Sequence, residues 1–185
     1  MCAARSILAF LFFLSSLGGA NRGFAFENGP PMATKAGNSP AALQSNQTSN
    51  VLGQIAVALA GGSEAMRALR GSPYKDTQKD KLQPPLPGMN CAIDRILSYV
   101  SCYSAPINNE KEAENVFTRL VDDVEAALPS ERWGPVEAIS RVGSVRSISY
   151  QDGKSAARIN IELLVQPTME VERSYIISLY GWTGF

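Results

Sequence analysis

Ala157-Arg158-Ile159-Asn160-Ile161-Glu162-Leu163-Leu164-Val165-Gln166 alternates apolar with mostly polar residues along its whole length. A period of two sets Ala157, Ile159, Ile161, Leu163 and Val165 on one side of an extended chain and Arg158, Asn160, Glu162, Leu164 and Gln166 on the other, which predicts a half-buried β-strand. Upstream, residues 144–150 read as a partner strand, and Asp152-Gly153 between the two is a tight-turn signal. A strict two-residue turn pairs Ile148 with Ala157 and Arg146 with Ile159. That register puts Arg146 on the apolar face, and calls for a bulge at Gly153 or a position for Arg146 at the sheet margin. Downstream, after the loop 166–173, residues 175–182 read as a third strand.

The period lengthens to 3.6 in the segment before these strands. Ala113, Val116, Phe117, Leu120, Val121, Val124 and Leu128 share one helical face, with Asp122, Asp123 and Glu125 off it. Asn109 with Glu112 three residues later has the form of a capping box, and Pro129 marks the stop. A second helix is predicted from Asn90, because Ile93, Ile96, Leu97 and Val100 follow the i, i+3, i+4, i+7 pattern. The expected fold is therefore α+β, a small three-stranded antiparallel meander with one or two amphipathic helices packed on one face, preceded by a flexible N-terminal segment.

That segment divides in two. Residues 1–25 hold Arg5, then an almost wholly apolar run over residues 7–17, then small residues up to Ala20 and Ala25. This order is that of a cleavable signal peptide, and the run is about half of the ~20 residues needed to span a bilayer. The expected mature chain is thus secreted or periplasmic, without a transmembrane span. Residues 26–88 read as a disordered linker with an amphipathic helix at 51–70, and residues 89–185 as the α+β domain.

The chain contains 17 basic and 17 acidic residues. Removing residues 1–25 deletes Arg5 and Arg22 and no acid, so a near-neutral chain remains with none of the basic excess of a nucleic-acid binder. Cys2 leaves with the leader, and Cys91 and Cys102 become a candidate disulfide in an oxidising compartment. The bond and the helix from Asn90 conflict, since on one helix the two cysteines stand ~16 Å apart.

The chain has no histidine. Its absence removes His-based triads, Cys-His dyads and His-ligated zinc, and two cysteines do not make a four-Cys metal site. No catalytic residue, metal ligand or cofactor is assigned. The suggestive cluster is aromatic: Tyr175, Tyr180, Trp182 and Phe185 combine ring surface with polar tips, the chemistry of partner and glycan sites. The leading expectation is an exported, non-catalytic binding module contacting an envelope or extracellular protein or glycan. The alternatives are a small hydrolase or transferase working through carboxylates such as Asp122 and Glu125, and a structural envelope component assembling through residues 51–70. Six acids and two bases in residues 110–125 face four bases and one acid in residues 141–158, which predicts attraction between the helix and the hairpin.

Overall fold

The computed structural model describes residues 45–75, 77–166 and 173–184. The period-two stretch is a strand, and the sheet around it is far larger than expected. Among the described residues, β1 (Arg70–Pro73), β2 (Lys79–Leu82), β3 (Met89–Asp94), β4 (Tyr99–Ser104), β5 (Trp133–Val136), β6 (Ser144–Asp152), β7 (Arg158–Gln166) and β8 (Ser174–Trp182) form one antiparallel sheet. Their spatial order is β1-β2-β3-β4-β8-β7-β6-β5. Three helices accompany them: α1 (Ser45–Ala60), α2 (Gly62–Arg67) and α3 (Glu110–Ala127). The small three-stranded meander is thus corrected to an eight-stranded sheet; the α+β character stands. No helix among the described residues is long and apolar enough to cross a membrane.

The order reads as two successive units, α1 and α2 followed by the four-stranded meander β1–β4 and α3 followed by the meander β5–β8, joined through their last strands β4 and β8. The first unit begins well upstream of residue 89. The stretch expected as linker supplies α1, α2, β1 and β2 to the same sheet and core, while the expected leader and residues 26–44 lie outside the described residues. The strands β1 and β2 escape a hydrophobic-pattern reading because each has four residues and together they carry Arg70, Pro73, Lys79, Asp80 and Lys81. Charge and proline of this kind are how sheet margins avoid pairing with other chains.

The helix predicted from Asn90 is corrected to the hairpin β3–β4. Ile93 pairs with Val100 and Cys91 with Cys102, so four apolar residues enter the core from opposite strands. Ile96 and Leu97, which complete the helical spacing, occupy the turn and stand 69% and 70% exposed. Asp94 shapes this turn, its Oδ1 accepting from the backbone N–H of both Ile96 and Leu97 at 2.9 Å. With the helix gone the conflict over the cysteines disappears, and Cys91 and Cys102 are disulfide-bonded across the two strands.

One face of the sheet carries the core. Ile159, Ile161 and Leu163 of β7, Ile177 and Leu179 of β8, and Val100 and Cys102 of β4 are buried with Leu52, Ile55 and Leu59 of α1 and Phe117, Leu120 and Val124 of α3. Each large side chain removed from water contributes about 1.5–3 kcal/mol. The helix α1 packs on α3 and both touch β8. Gly181 permits this approach: a Cβ there would stand 2.5 Å from Leu59 Cδ1 and 2.9 Å from Val100 Cγ1. The helix α3 begins as expected, with Asn109 Oδ1 accepting from the Glu112 N–H at 2.9 Å and acids Glu110 and Glu112 in its first turn.

The β6–β7 hairpin differs from the two-residue turn. Residues 153–157 form its loop, and the register is Ile148 with Ile161, Tyr150 with Ile159 and Arg146 with Leu163, with an irregularity between Ser144 and Arg146. The Asp152 carboxylate organises the loop, Oδ2 accepting from the Ser155 N–H and hydroxyl while Arg132 donates to both oxygens at 3.0 and 2.9 Å. Arg146 lies on the helix-facing side, 4.8 Å from the Phe117 ring centre, and reaches Glu114 at 2.6 Å. That ion pair links the basic hairpin to the acidic helix.

Candidate functional site

The cross-strand registers arrange the other face of the sheet into rows. Lys79, Asp94, Tyr99, Trp182, Arg158 and Gln151 are successive partners in one row. Ala92, Ser101, Tyr180, Asn160 and Ser149 form the next, and Asn90, Tyr103, Ser178, Glu162 and Ser147 the third. Partners in antiparallel strands share a face, so these residues project away from the helices. The helix side is apolar; this side is polar and aromatic, and among the described residues no second layer of secondary structure lies upon it.

Part of this face is nevertheless dry, because the connection between β5 and β6, residues 137–143, folds over it. The Ile139 carbonyl accepts from Asn160 Nδ2 at 3.0 Å and from the Ser147 hydroxyl at 3.1 Å. Arg141 fastens the strap at a second point. Its backbone N–H donates to Glu162 Oε1 at 3.0 Å, its Nε to Oε2 at 2.6 Å, and a terminal nitrogen to the Ser178 hydroxyl at 3.0 Å. Glu162 is fully buried, a position for a carboxylate that requires a paired cation and filled hydrogen-bond sites. The same guanidinium lies 4.1 Å from the centre of the Tyr180 ring, within cation–π range. Burial acts to lower the Arg141 pKa, but hydrogen bonding to Glu162 and the neighbouring charges outweigh it and raise the value.

The strap and rows together outline an open cleft of about 160 Å³ lined by Tyr99, Ile139, Arg141, Asn160, Glu162, Tyr180 and Trp182. Tyr180 is its central ring, stacked on Tyr99 at 5.7 Å, meeting Tyr103 edge-on at 5.6 Å and donating its hydroxyl to the Tyr103 oxygen at 3.0 Å. Arg158 stands 5.9 Å from the Trp182 ring centre and donates to Gln151. Burial, followed by the neighbouring phenols, pushes the Tyr99 pKa up; burial and the hydrogen bond with Tyr103 do the same for Tyr180. Both phenols remain protonated donors at neutral pH.

Of the aromatic residues singled out from sequence, Tyr180 and Trp182 come together in this cleft. Tyr175 does not: it is buried on the helix side, beside Ile107, with its hydroxyl interacting with Glu110. Phe185 lies outside the described residues. Strand parity carried the distinction, since within β8 Tyr175 alternates with Ile177 and Leu179 whereas Tyr180 and Trp182 alternate with Ser178. Tyr99 was hidden by the helical reading of residues 90–100, Tyr103 by lying just beyond it with no strand assigned there, and Arg141 by its place in a loop. Asn160 and Glu162 stood on the polar side of the opening stretch, where nothing local distinguishes a buried polar residue from a solvated one.

The carboxylates considered for hydrolysis lie elsewhere. Asp122 and Glu125 are exposed on α3, and Glu125 accepts the Tyr150 hydroxyl at 2.7 Å. The apolar stripe considered for assembly is spent on the core, where Val51, Leu52, Ile55, Leu59, Met66 and Leu69 are buried and only Val57 among the large apolar residues of α1 stands exposed. Among the described residues no group of three or more acidic or cysteine side chains is gathered as metal ligands would be. Comparison with family models, curated proteins and solved structures finds no match.

Proposed function

We propose that this chain is an exported, non-catalytic binding module, and that its ligand surface is the cleft bounded by Tyr99, Tyr180, Trp182 and Ile139. The observation that carries the reading is the state of the polar groups in the cleft. The carboxylate oxygens of Glu162 are held by Arg141, and the side chain of Asn160 is held by Ser147, Ser149 and the Ile139 carbonyl. A general acid or base needs a hydrogen-bond path to substrate, and these groups have spent theirs within the protein. Ring surface and rim donors remain, the materials of recognition. The apolar run near the start of the sequence and the cross-strand disulfide support export, since such bonds persist in oxidising compartments.

The test is capture from the host's envelope or medium by the tagged mature chain and by its Trp182→Ala and Tyr99→Ala variants, each first checked for an unchanged circular-dichroism spectrum and melting profile. Loss of one stoichiometric partner in both folded variants is the expected result. Undiminished capture by both would remove the cleft from consideration.

A further inference from the structure

We propose that the cleft takes a proline ring from an extended, proline-rich polypeptide; this rests on the binding-module reading and specifies its ligand. Size gives the first argument. At about 160 Å³ the cleft matches a single ring, comparable to the ~150 Å³ cavity that holds benzene in an engineered protein core.

The second argument is the imbalance between donors and acceptors. Each Glu162 oxygen accepts from Arg141 and the residue has no exposed surface, while Asn160 Oδ1 accepts from both Ser147 and Ser149, so the acceptors of the cleft floor are either buried or already paired. The donors at the rim are not. Neither the Tyr99 hydroxyl nor the Trp182 indole N–H donates to any of the described residues, although both side chains line the cleft. A ligand suited to this arrangement offers acceptors and few donors.

A prolyl residue meets that requirement, because its amide carries a carbonyl and no N–H. A sugar meets it poorly, since each hydroxyl it buries must donate as well as accept. An ordinary peptide brings an N–H at every residue and would leave some of them unpaired against a floor whose acceptors are buried or already paired. Proline-rich chains also adopt polyproline II before binding, so little ordering entropy opposes their capture by an aromatic slot. Charge agrees: Arg141 and Glu162 neutralise one another at 2.6 Å, leaving the floor without a net charge to select an ion.

The probes are decaproline, a Gly-Ser decapeptide, and cellohexaose, titrated into the whole chain while the indole N–H resonances of Trp133 and Trp182 are followed by NMR. We expect decaproline to shift the Trp182 resonance saturably at up to millimolar concentration, with Trp133 unmoved and no response to the Gly-Ser peptide. Tyr99→Phe keeps the ring and removes one donor, and should weaken decaproline about five- to tenfold, as loss of one hydrogen bond does. Trp182→Phe, followed on a neighbouring backbone amide, should do the same. No saturable shift with decaproline, or equal affinity in both Phe variants, overturns the assignment. Cellohexaose binding at Trp182 without decaproline binding overturns the proline assignment and leaves the binding cleft standing, whereas the cleft itself falls only to undiminished partner capture by the Ala variants.

Discussion

Arg141 lies across Tyr180 with its guanidinium 4.1 Å from the ring centre, and from that position it closes a 2.6 Å ion pair with Glu162, a carboxylate with no exposed surface. One side chain thereby neutralises a buried charge, covers an aromatic ring and fastens the strap to the sheet.

Arg141→Ala should therefore cost more than an exposed arginine does. Breaking a buried pair costs about 3–5 kcal/mol, and since the Arg141 side chain is 43% exposed we expect about 2–3 kcal/mol in urea denaturation. Arg141→Lys should restore little, because an ammonium cannot serve Glu162, Ser178 and the Tyr180 face together. A loss below ~0.5 kcal/mol for Arg141→Ala would mean that solvent reaches Glu162 freely.

The disulfide closes a short loop within the β3–β4 hairpin. Replacing Cys91 and Cys102 together by Ala should lower stability by about 2–3 kcal/mol, measured against the oxidised protein. The parent protein should show a drop of the same size when dithiothreitol is added, and the double variant none.

Asp152 sets an acid limit. Burial alone would raise its pKa, but hydrogen bonds from Arg132 and Ser155 prevail and hold it at about 2, below the ordinary 3.8. A carboxylate depressed in the folded state stabilises the protein fully above its unfolded pKa, and that contribution disappears as pH falls through the folded value. Stability should thus decline from pH 3.8 toward pH 2, and Asp152→Asn should flatten that part of the profile while lowering stability at pH 7. An unchanged slope in the Asn variant would assign the acid transition to other carboxylates.

Gly181→Ala places a methyl group against Leu59 and Val100 in a filled core. Overpacking of this kind costs about 1–3 kcal/mol, and we expect a lower melting temperature for this variant. Leu59→Ala in the same background should recover part of the loss, since it removes the nearer clash; strictly additive costs would place the strain elsewhere.

The parts of the fold legible in the sequence are those whose period is long and unmixed. The helix α3 and the strands β6 to β8 show it, and Asn109 and Pro129 bracket the helix. The hairpin β3–β4 misleads because Ile93 and Val100 face the core from two strands while Ile96 and Leu97 sit in the turn, and these four positions share the spacing of one helical stripe. A mirror pattern was present: Cys91 and Ile93 precede the turn at the same distances at which Cys102 and Val100 follow it. Of the residues that line the candidate cleft, the sequence singled out only Tyr180 and Trp182. The cleft's other contributors depend on which loop folds over which face, a tertiary fact that no local period encodes.

The place of β8 between β4 and β7 governs when this chain can fold as well as what it becomes. Among the described strands this central one is the last in sequence. While a ribosome is still adding residues 174–182, β4 and β7 can each pair on one side only. Two half-sheets with open, sticky margins must therefore be kept apart until synthesis has passed Trp182, and then close in one step.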